Sequence, residues 1–341
     1  MFFSISRTKF KLFLQISLST LIVWIILDQL ARVIFSDLVY PQHYTGDDVR
    51  YPAPYIEFKG KPNALDHNEF GYRWNSRRPQ EGALKIAFFG GSTGYGGAPP
   101  IADILEQKLS SRLNTSVHIA NFSVVSSNHR QHLHNIIESN HLFKPDIVIF
   151  YGGYNETGQA AFYDPRPGYP YNWFFRNETP EFIQWLISRS PTIFLVDRVG
   201  VKFGLFSLTP LVSLREEVAL YSQGWNDKIV DSYLETIFLA KKVSNAFVSN
   251  ACNGPVEFRF FYQPYQVPPQ LRNINDRIKA AIKNISYGFD VSDTFDANNK
   301  EIFTDIVHLN QDGNNAMAER MFTELINDQS LEHCLAPKGH Q

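Results

Sequence analysis

The sequence predicts a three-layer α/β/α sandwich around a central, mostly parallel five-stranded sheet, preceded by one N-terminal transmembrane helix. Three observations carry this expectation. Short apolar runs at 84–89, 117–122 and 146–151 alternate with stretches of helical spacing. Two further runs, at 256–262 and 288–292, follow a long irregular region. An uncharged apolar segment, LFLQISLSTLIVWIIL at 12–27, stands behind Arg7, Lys9 and Lys11. Strands and helices alternating at this spacing form βαβ units, which lay their strands parallel in one sheet.

Each element has its own reason. Leu84-Lys-Ile-Ala-Phe-Phe89 is a short apolar run ending in glycines and reads as a buried strand. Ile101, Leu105, Leu109 and Leu113 recur at helical spacing behind Pro99-Pro100. The run 117–122 is a second strand, and Leu133, Ile136, Ile137 and Phe143 suggest a second helix with a ragged end. Asp146-Ile-Val-Ile-Phe-Tyr151 is a third strand, again followed by Gly-Gly. Regularity then breaks over an insertion at 157–250, which opens with the aromatic stretch YDPRPGYPYNWFF at 163–175. Gln223-Gly-Trp-Asn-Asp227 reads as a turn leading into a helix at 229–247. After the fourth strand, Leu271, Ile274, Ile278, Ile282 and Ile285 mark a helix before the fifth. Ala316, Met321, Phe322, Leu325 and Ile326 mark the last one.

Composition sets outer bounds. With 341 residues and 44% hydrophobic content the chain can bury a sizeable core. A net charge of −2 argues against a nucleic-acid partner, which calls for a basic excess. Two cysteines, Cys252 and Cys334, exclude a disulfide-dense scaffold and a four-cysteine zinc site. They leave one bridge open in an oxidising compartment. A positive flank before an apolar run is the pattern of a signal peptide or signal anchor, and no clean small-residue cleavage site follows, so a retained anchor is expected. The domain plan is then a cytoplasmic tail at 1–11, a signal anchor at 12–35, a spacer and lead-in at 36–83, the main domain at 84–328 and a tail at 329–341. The positive-inside rule makes the protein single-pass, with its N-terminus cytoplasmic and its main domain outside. The run 201–208 is too short for a second span.

Open parallel sheets bind ligands at the carboxyl ends of their strands. Three such ends carry polar or glycine-rich turns: Gly90-Gly-Ser-Thr-Gly94, Asn121-Phe-Ser-Val-Val-Ser126 and Gly152-Gly-Tyr-Asn-Glu156. A fourth element, Asp305-Ile-Val-His308, precedes the last helix. A serine hydroxyl is a weak nucleophile that needs a base within hydrogen-bond reach. Ser92 is the candidate nucleophile, His308 the base and Asp305 the group that orients the imidazole. The N–H groups of Ser92 and Ser123, with the Asn155 side-chain amide, are candidate oxyanion donors. The glycine turn lacks the lysine of a P-loop, and no dinucleotide fingerprint occurs, so nucleotide binding is not indicated. It matches a nucleophile elbow, yet the several strands that precede the nucleophile in an α/β-hydrolase are missing. His129, His132 and His134 invite a metal reading. No neighbouring carboxylate in the sequence completes a set, so surface or cap roles are expected.

In this order, the four blocks resemble the SGNH hydrolase superfamily, the GDSL-like esterases. Phe89-Gly-Gly-Ser-Thr93 matches the first block, Asn121-Phe-Ser123 the second with serine in the glycine place, Gly153-Tyr-Asn155 the third and Asp305-Ile-Val-His308 the last. The resemblance covers about residues 68–328 and includes Asn68-Glu-Phe-Gly-Tyr-Arg73, similar to a lead-in of envelope-associated members. It implies a flavodoxin-like sandwich and a serine esterase needing no metal or cofactor. The expected substrate is a small-molecule or glycan acyl ester, with acetyl groups on an envelope or extracellular glycan favoured. The same triad also serves an O-acyltransferase. Ser123 and the aromatic insertion leave room for a catalytically inactive glycan-binding or assembly protein. The sequence names no protein partner.

Overall fold

A computed structural model of the chain describes residues 7–34, 49–53, 55–74, 79–162, 181–206, 208, 223–296 and 301–335. The aromatic stretch at 163–175, all of 36–48 and the outer ends of the two expected tails lie outside these residues. The chain divides into two compact units, one of residues 1–47 with 173–212 and one of 48–172 with 213–341.

The first unit is helical. Helix α1 (Arg7–Ile34) leaves its apolar side chains exposed over most of its length. Its stretch Lys11–Ile34 is long and apolar enough to cross a membrane. Two later helices of this unit, α6 (Glu181–Arg189) and α7 (Pro191–Lys202), follow one another through Ser190, whose N–H donates to the Leu186 carbonyl at 2.9 Å and whose carbonyl accepts from the Phe194 N–H at 3.1 Å.

The second unit opens on an antiparallel pair, β1 (Arg50–Ala53) and β2 (Glu57–Gly60). Its centre is a five-stranded sheet of β3 (Leu84–Gly90), β4 (Val117–Asn121), β5 (Ile147–Gly152), β8 (Glu257–Tyr262) and β9 (Gly288–Asp290). The strand order is β4-β3-β5-β8-β9 and every pairing is parallel. Parallel strands need crossovers, and α3 (Ile101–Leu113), α4 (His129–Leu142), α8 (Gln223–Asn245), α9 (Arg272–Ile282) and α10 (Gln311–Asn327) cover both faces. That double cover explains why β3 and β5 read as nearly unbroken apolar runs. This is the predicted three-layer sandwich.

The two faces differ in chemistry. Ile86, Phe88, Ile147 and Ile149 pack with Leu105 and Leu109 of α3 and Met317 and Met321 of α10 in a mostly aliphatic core. The opposite face is richer in aromatic rings: Phe89 meets Phe122 and Phe150, and Phe150 meets Phe258 edge-on at 5.1 Å. Register then sets the site. Phe88 lies opposite Asn121, Gly90 opposite Tyr151, and Gly152 opposite Tyr262, so four strands end at one level.

Three expectations are corrected. The lead-in at 49–83 is not a loose spacer where it is described. The Gln131 amide donates to the carbonyls of Ile56 and Phe58 at 2.7 and 3.2 Å, and the Tyr72 hydroxyl donates to Glu138 at 2.7 Å. Polar side chains of α4 thus hold a segment that has no apolar period of its own. Residues 223–227 are not a turn but the start of α8, and Asp227 pairs with Arg277 of α9. Residues 329–335 are not a tail. They include α11 (Glu332–Leu335) and bury Leu331, Cys334 and Leu335. Cys334 is disulfide-bonded to Cys252, beside the short pair β6 (Val248–Ser249) and β7 (Gly254–Pro255). The buried Arg259 reaches Asp328 at 2.5 Å and Ser330 at 2.6 Å, with Glu257 at 3.0 Å.

A buried cation that loses a partner is costly, whereas an exposed pair contributes little. Asp328→Ala is expected to lower stability by about 3 kcal/mol, read from the urea midpoint. Glu319→Ala, which breaks the exposed pair with Lys108, is expected to cost less than about 1 kcal/mol.

Candidate functional site

The site is built at the carboxyl end of β3. The strand ends at Gly90, and Gly91 leads into a single helical turn, α2 (Ser92–Tyr95). Gly91 is required by close approach: a Cβ there would lie 2.4 Å from the Asn155 amide nitrogen. Arg73, from the Asn68-to-Arg73 segment, donates to the Tyr95 carbonyl and lies over the Tyr95 ring at 5.3 Å. The lead-in therefore braces the turn that carries Ser92.

Asp305 and His308 lie in the loop before α10, with Asn310 capping that helix through Gly313. One oxygen of Asp305 accepts from the N–H groups of Val307 and His308, both at 2.8 Å. The other lies 2.6 Å from His308 Nδ1. The far ring nitrogen, Nε2, lies 2.7 Å from Ser92 Oγ. The structure thus joins Ser92, His308 and Asp305 in one hydrogen-bonded chain across 216 residues of sequence. Partial burial alone raises the Asp305 carboxyl. The hydrogen bonds from His308 and Val307 outweigh it and hold the group below the ordinary carboxylate value, hence charged at neutral pH. Both side chains are accessible, His308 at 40% and Asp305 at 52%.

The expected oxyanion donors divide. The Asn155 amide donates to the Ser127 carbonyl at 2.8 Å, which fixes its plane against Gly91 and leaves its second N–H for other use. Ser92 heads α2, where first-turn N–H groups have no intrahelical acceptor. Ser123 is different: its N–H donates to Asn121 Oδ1 at 3.0 Å. It is therefore engaged within its own turn instead of being held open. Its buried side chain packs under the glycine turn, where a Cβ on Gly94 would come within 2.6 Å of Ser123 Oγ. Asn121 supports the same turn by donating to the Gly94 carbonyl at 3.0 Å.

Two residues escaped the sequence reading. Gln263, just past β8, accepts from the Thr93 hydroxyl at 3.1 Å and so anchors the residue after Ser92. Glu156, buried beside Asn155, accepts from the Gly153 N–H at 2.8 Å and the His129 N–H at 2.7 Å. Gly153, at φ +148°, sits where an added Cβ would strike the Tyr262 ring at 2.5 Å, so this turn is pinned on both sides. An acidic residue directly after the block-three asparagine was the available signal for Glu156.

The expectation of surface or cap roles holds for His134, which is exposed, but not for His129 and His132, which are buried. Helix α4 faces the aromatic side of the sheet, and His129 stacks on Tyr233 at 5.6 Å and packs on Phe150 at 4.9 Å. Desolvation pushes His129 down to about 3 and His132 well below its ordinary value, so both rings are neutral. Fold brings them the carboxylate that the sequence had not supplied, with Glu156 at 3.7 Å from His129.

Burial raises Glu156 from 4.5 to about 7, against the lowering effect of the donated backbone N–H groups. A carboxyl raised by folding adds stability while protonated. That contribution is complete below pH 4.5 and is lost as pH rises through about 7. Glu156→Gln cannot ionise. Its urea midpoint is expected to change less with pH across that window than the wild-type midpoint does.

The chain is similar to several solved structures. The crystal structure of the lipase Lip_vut3 from a goat rumen metagenome is 13% identical, with a TM-score of 0.43, covering 71% of this chain and 97% of that one. A catalytic mutant of Axe2, an acetylxylan esterase from Geobacillus stearothermophilus, is 13% identical, with a TM-score of 0.43 and coverage of 71% and 94%. LAE5, an alpha/beta hydrolase enzyme from the metagenome of Lake Arreo, is 12% identical, with a TM-score of 0.43 and coverage of 75% and 98%. No curated protein matches the chain. The sequence profile of the GDSL-like lipases and acylhydrolases matches residues 86–321, a span that contains Ser92, Asn155, Asp305 and His308. On that match, the chain belongs to the GDSL-like lipase/acylhydrolase family and is an esterase of the serine type.

Proposed function

We propose that this protein is a membrane-anchored esterase that removes small acyl groups, acetyl above all, from an envelope or extracellular glycan through an acyl-enzyme at Ser92. The observation that carries the reading is the chain from Ser92 Oγ to His308 Nε2 and from His308 Nδ1 to Asp305. Ser92 Oγ attacks the ester carbonyl carbon while His308 Nε2 takes its proton. Asp305 keeps the ring oriented and stabilises the imidazolium. The carbonyl oxygen becomes an oxyanion facing the Ser92 N–H and the Asn155 amide. The tetrahedral species collapses, His308 returns the proton to the departing sugar hydroxyl, and the acyl group stays on Ser92. Water, deprotonated by His308, then attacks the acyl carbon. Carboxylic acid leaves and the serine regains its proton.

The exposure of His308 and Asp305 supports a substrate carried on a polymer, because a glycan chain can lie across an open site. The Cys252–Cys334 disulfide supports an oxidising compartment, and α1 supports an anchor with the catalytic unit outside the cytoplasm. The polymer reading also accommodates transfer to a second sugar hydroxyl, which uses the same residues with an alcohol in place of water.

The full chain is expected to release acid from a short-chain aryl ester and to be labelled by a fluorophosphonate at Ser92. Ser92→Ala is expected to lose both, and equal turnover in the two proteins overturns the reading. Asn155→Ala is expected to lower kcat by about 10²–10³ while labelling at Ser92 persists. Asp305→Asn is expected to lower kcat by about 10³–10⁴, measured on the same ester. Product analysis with a glycan acceptor separates free acid from an acylated sugar.

A further inference from the structure

The consecutive helices α6 and α7 are fastened to α1 at the residue that joins them. Asp28 breaks the apolar run of α1 and is buried. Its carboxylate accepts from the Ser190 hydroxyl at 2.5 Å and from the Thr192 N–H at 3.3 Å, and it pairs with Arg32 at 3.1 Å. Arg32 also donates to the Arg189 carbonyl. A carboxylate placed in an apolar helix needs such partners, so the α6–α7 joint is locked to one level of α1.

That level is defined by length. The uncharged run 12–27 has 16 residues, or roughly 24 Å of helix, a little less than a hydrocarbon core of about 30 Å. Asp28 and Arg32 then fall where the hydrocarbon ends, and so does the α6–α7 joint held by them. The two helices carry the matching surface. Trp185 is 50% exposed and stacks with Phe182, Phe203 is 67% exposed, and Val199 and Leu205 are exposed as well. Exposed cations accompany them: the Arg189 guanidinium lies 5.4 Å over the Trp185 ring, and Arg198 lies 5.1 Å over Phe194. Aromatic rings beside arginine and lysine on short amphipathic helices are the composition of elements that lie in a bilayer interface.

We infer that the α6–α7 helix pair is a lipid-binding element, embedded in the membrane interface at the end of α1 that bears Asp28 and making a second contact with the bilayer besides the anchor. The inference rests on α1 being a membrane anchor. A single apolar helix leaves a protein free to tilt and rotate, and an interfacial helix pair pinned to it adds buried apolar area and removes that freedom.

The test uses the full chain in vesicles of phosphatidylethanolamine and phosphatidylglycerol. Because Cys252 and Cys334 are bonded to each other, a bimane probe reacts only with a new cysteine placed by Trp185→Cys, Phe203→Cys or Leu21→Cys. Lipids brominated near the headgroup are expected to remove about half of the fluorescence at 185 and 203, and lipids brominated deep in the chain to quench the probe at 21 more. Val199→Cys reports the same surface should Trp185→Cys fail to fold. Quenching at 21 together with probes at 185, 199 and 203 that ignore brominated lipid and yield to aqueous iodide overturns the inference alone. A probe at 21 that no brominated lipid quenches overturns the anchor, and the assignment of the helix pair with it.

Discussion

The candidate site depends on one contact, the 2.7 Å approach of His308 Nε2 to Ser92 Oγ. The two residues come from opposite ends of the domain, and nothing local brings them together. Ser92 is placed by the end of β3, at the middle of a parallel sheet whose strands stop at one level. His308 is placed by a loop that returns to that level, tied by the Gln266 N–H to the Ile306 carbonyl at 2.7 Å. Asp305 holds the loop as well as the ring, because one of its oxygens binds two backbone N–H groups while the other faces the imidazole. Removing that carboxylate disturbs position and charge together.

Around this contact, polar side chains hold the turns that carry the reacting groups. Arg73 braces the Ser92 turn from the lead-in, Asn121 supports it from the end of β4 and Gln263 from just past β8, and Glu156 fixes the turn that presents Asn155. Several of these struts are buried, so each must be satisfied or it destabilises the fold. Glu156 is the extreme case: a carboxyl that accepts two backbone hydrogen bonds in a setting dry enough to raise it to about 7. The aromatic core beneath, with the neutral rings of His129 and His132, provides that dryness.

The sheet was legible because its strands are covered on both faces and so announce themselves as apolar runs bounded by turns. That Ser92, Asp305 and His308 come together was legible because they sit in short blocks at a strand end or just before a helix. The engagement of the Ser123 N–H by Asn121 was not legible, since it depends on a side-chain rotamer within the turn. Nor was the ordered lead-in, which is held by Gln131 and Glu138 from a helix far along the chain and carries no period of its own. The buried histidines were read as surface groups because polarity outweighed position on the helix. Their burial follows from which face α4 turns to the sheet, a tertiary fact. The end of the chain was read as a tail because the charge pair that holds it, Arg259 with Asp328, spans 69 residues.

The most direct measurement is mass spectrometry of the protein quenched during turnover of an ester. An acyl group on the peptide that contains Ser92, absent in Ser92→Ala and accumulating when water is replaced by a poorer acceptor, is the expected result. Steady release of acid with no acyl adduct on Ser92, and with turnover unchanged in His308→Ala, contradicts a serine relay at this site.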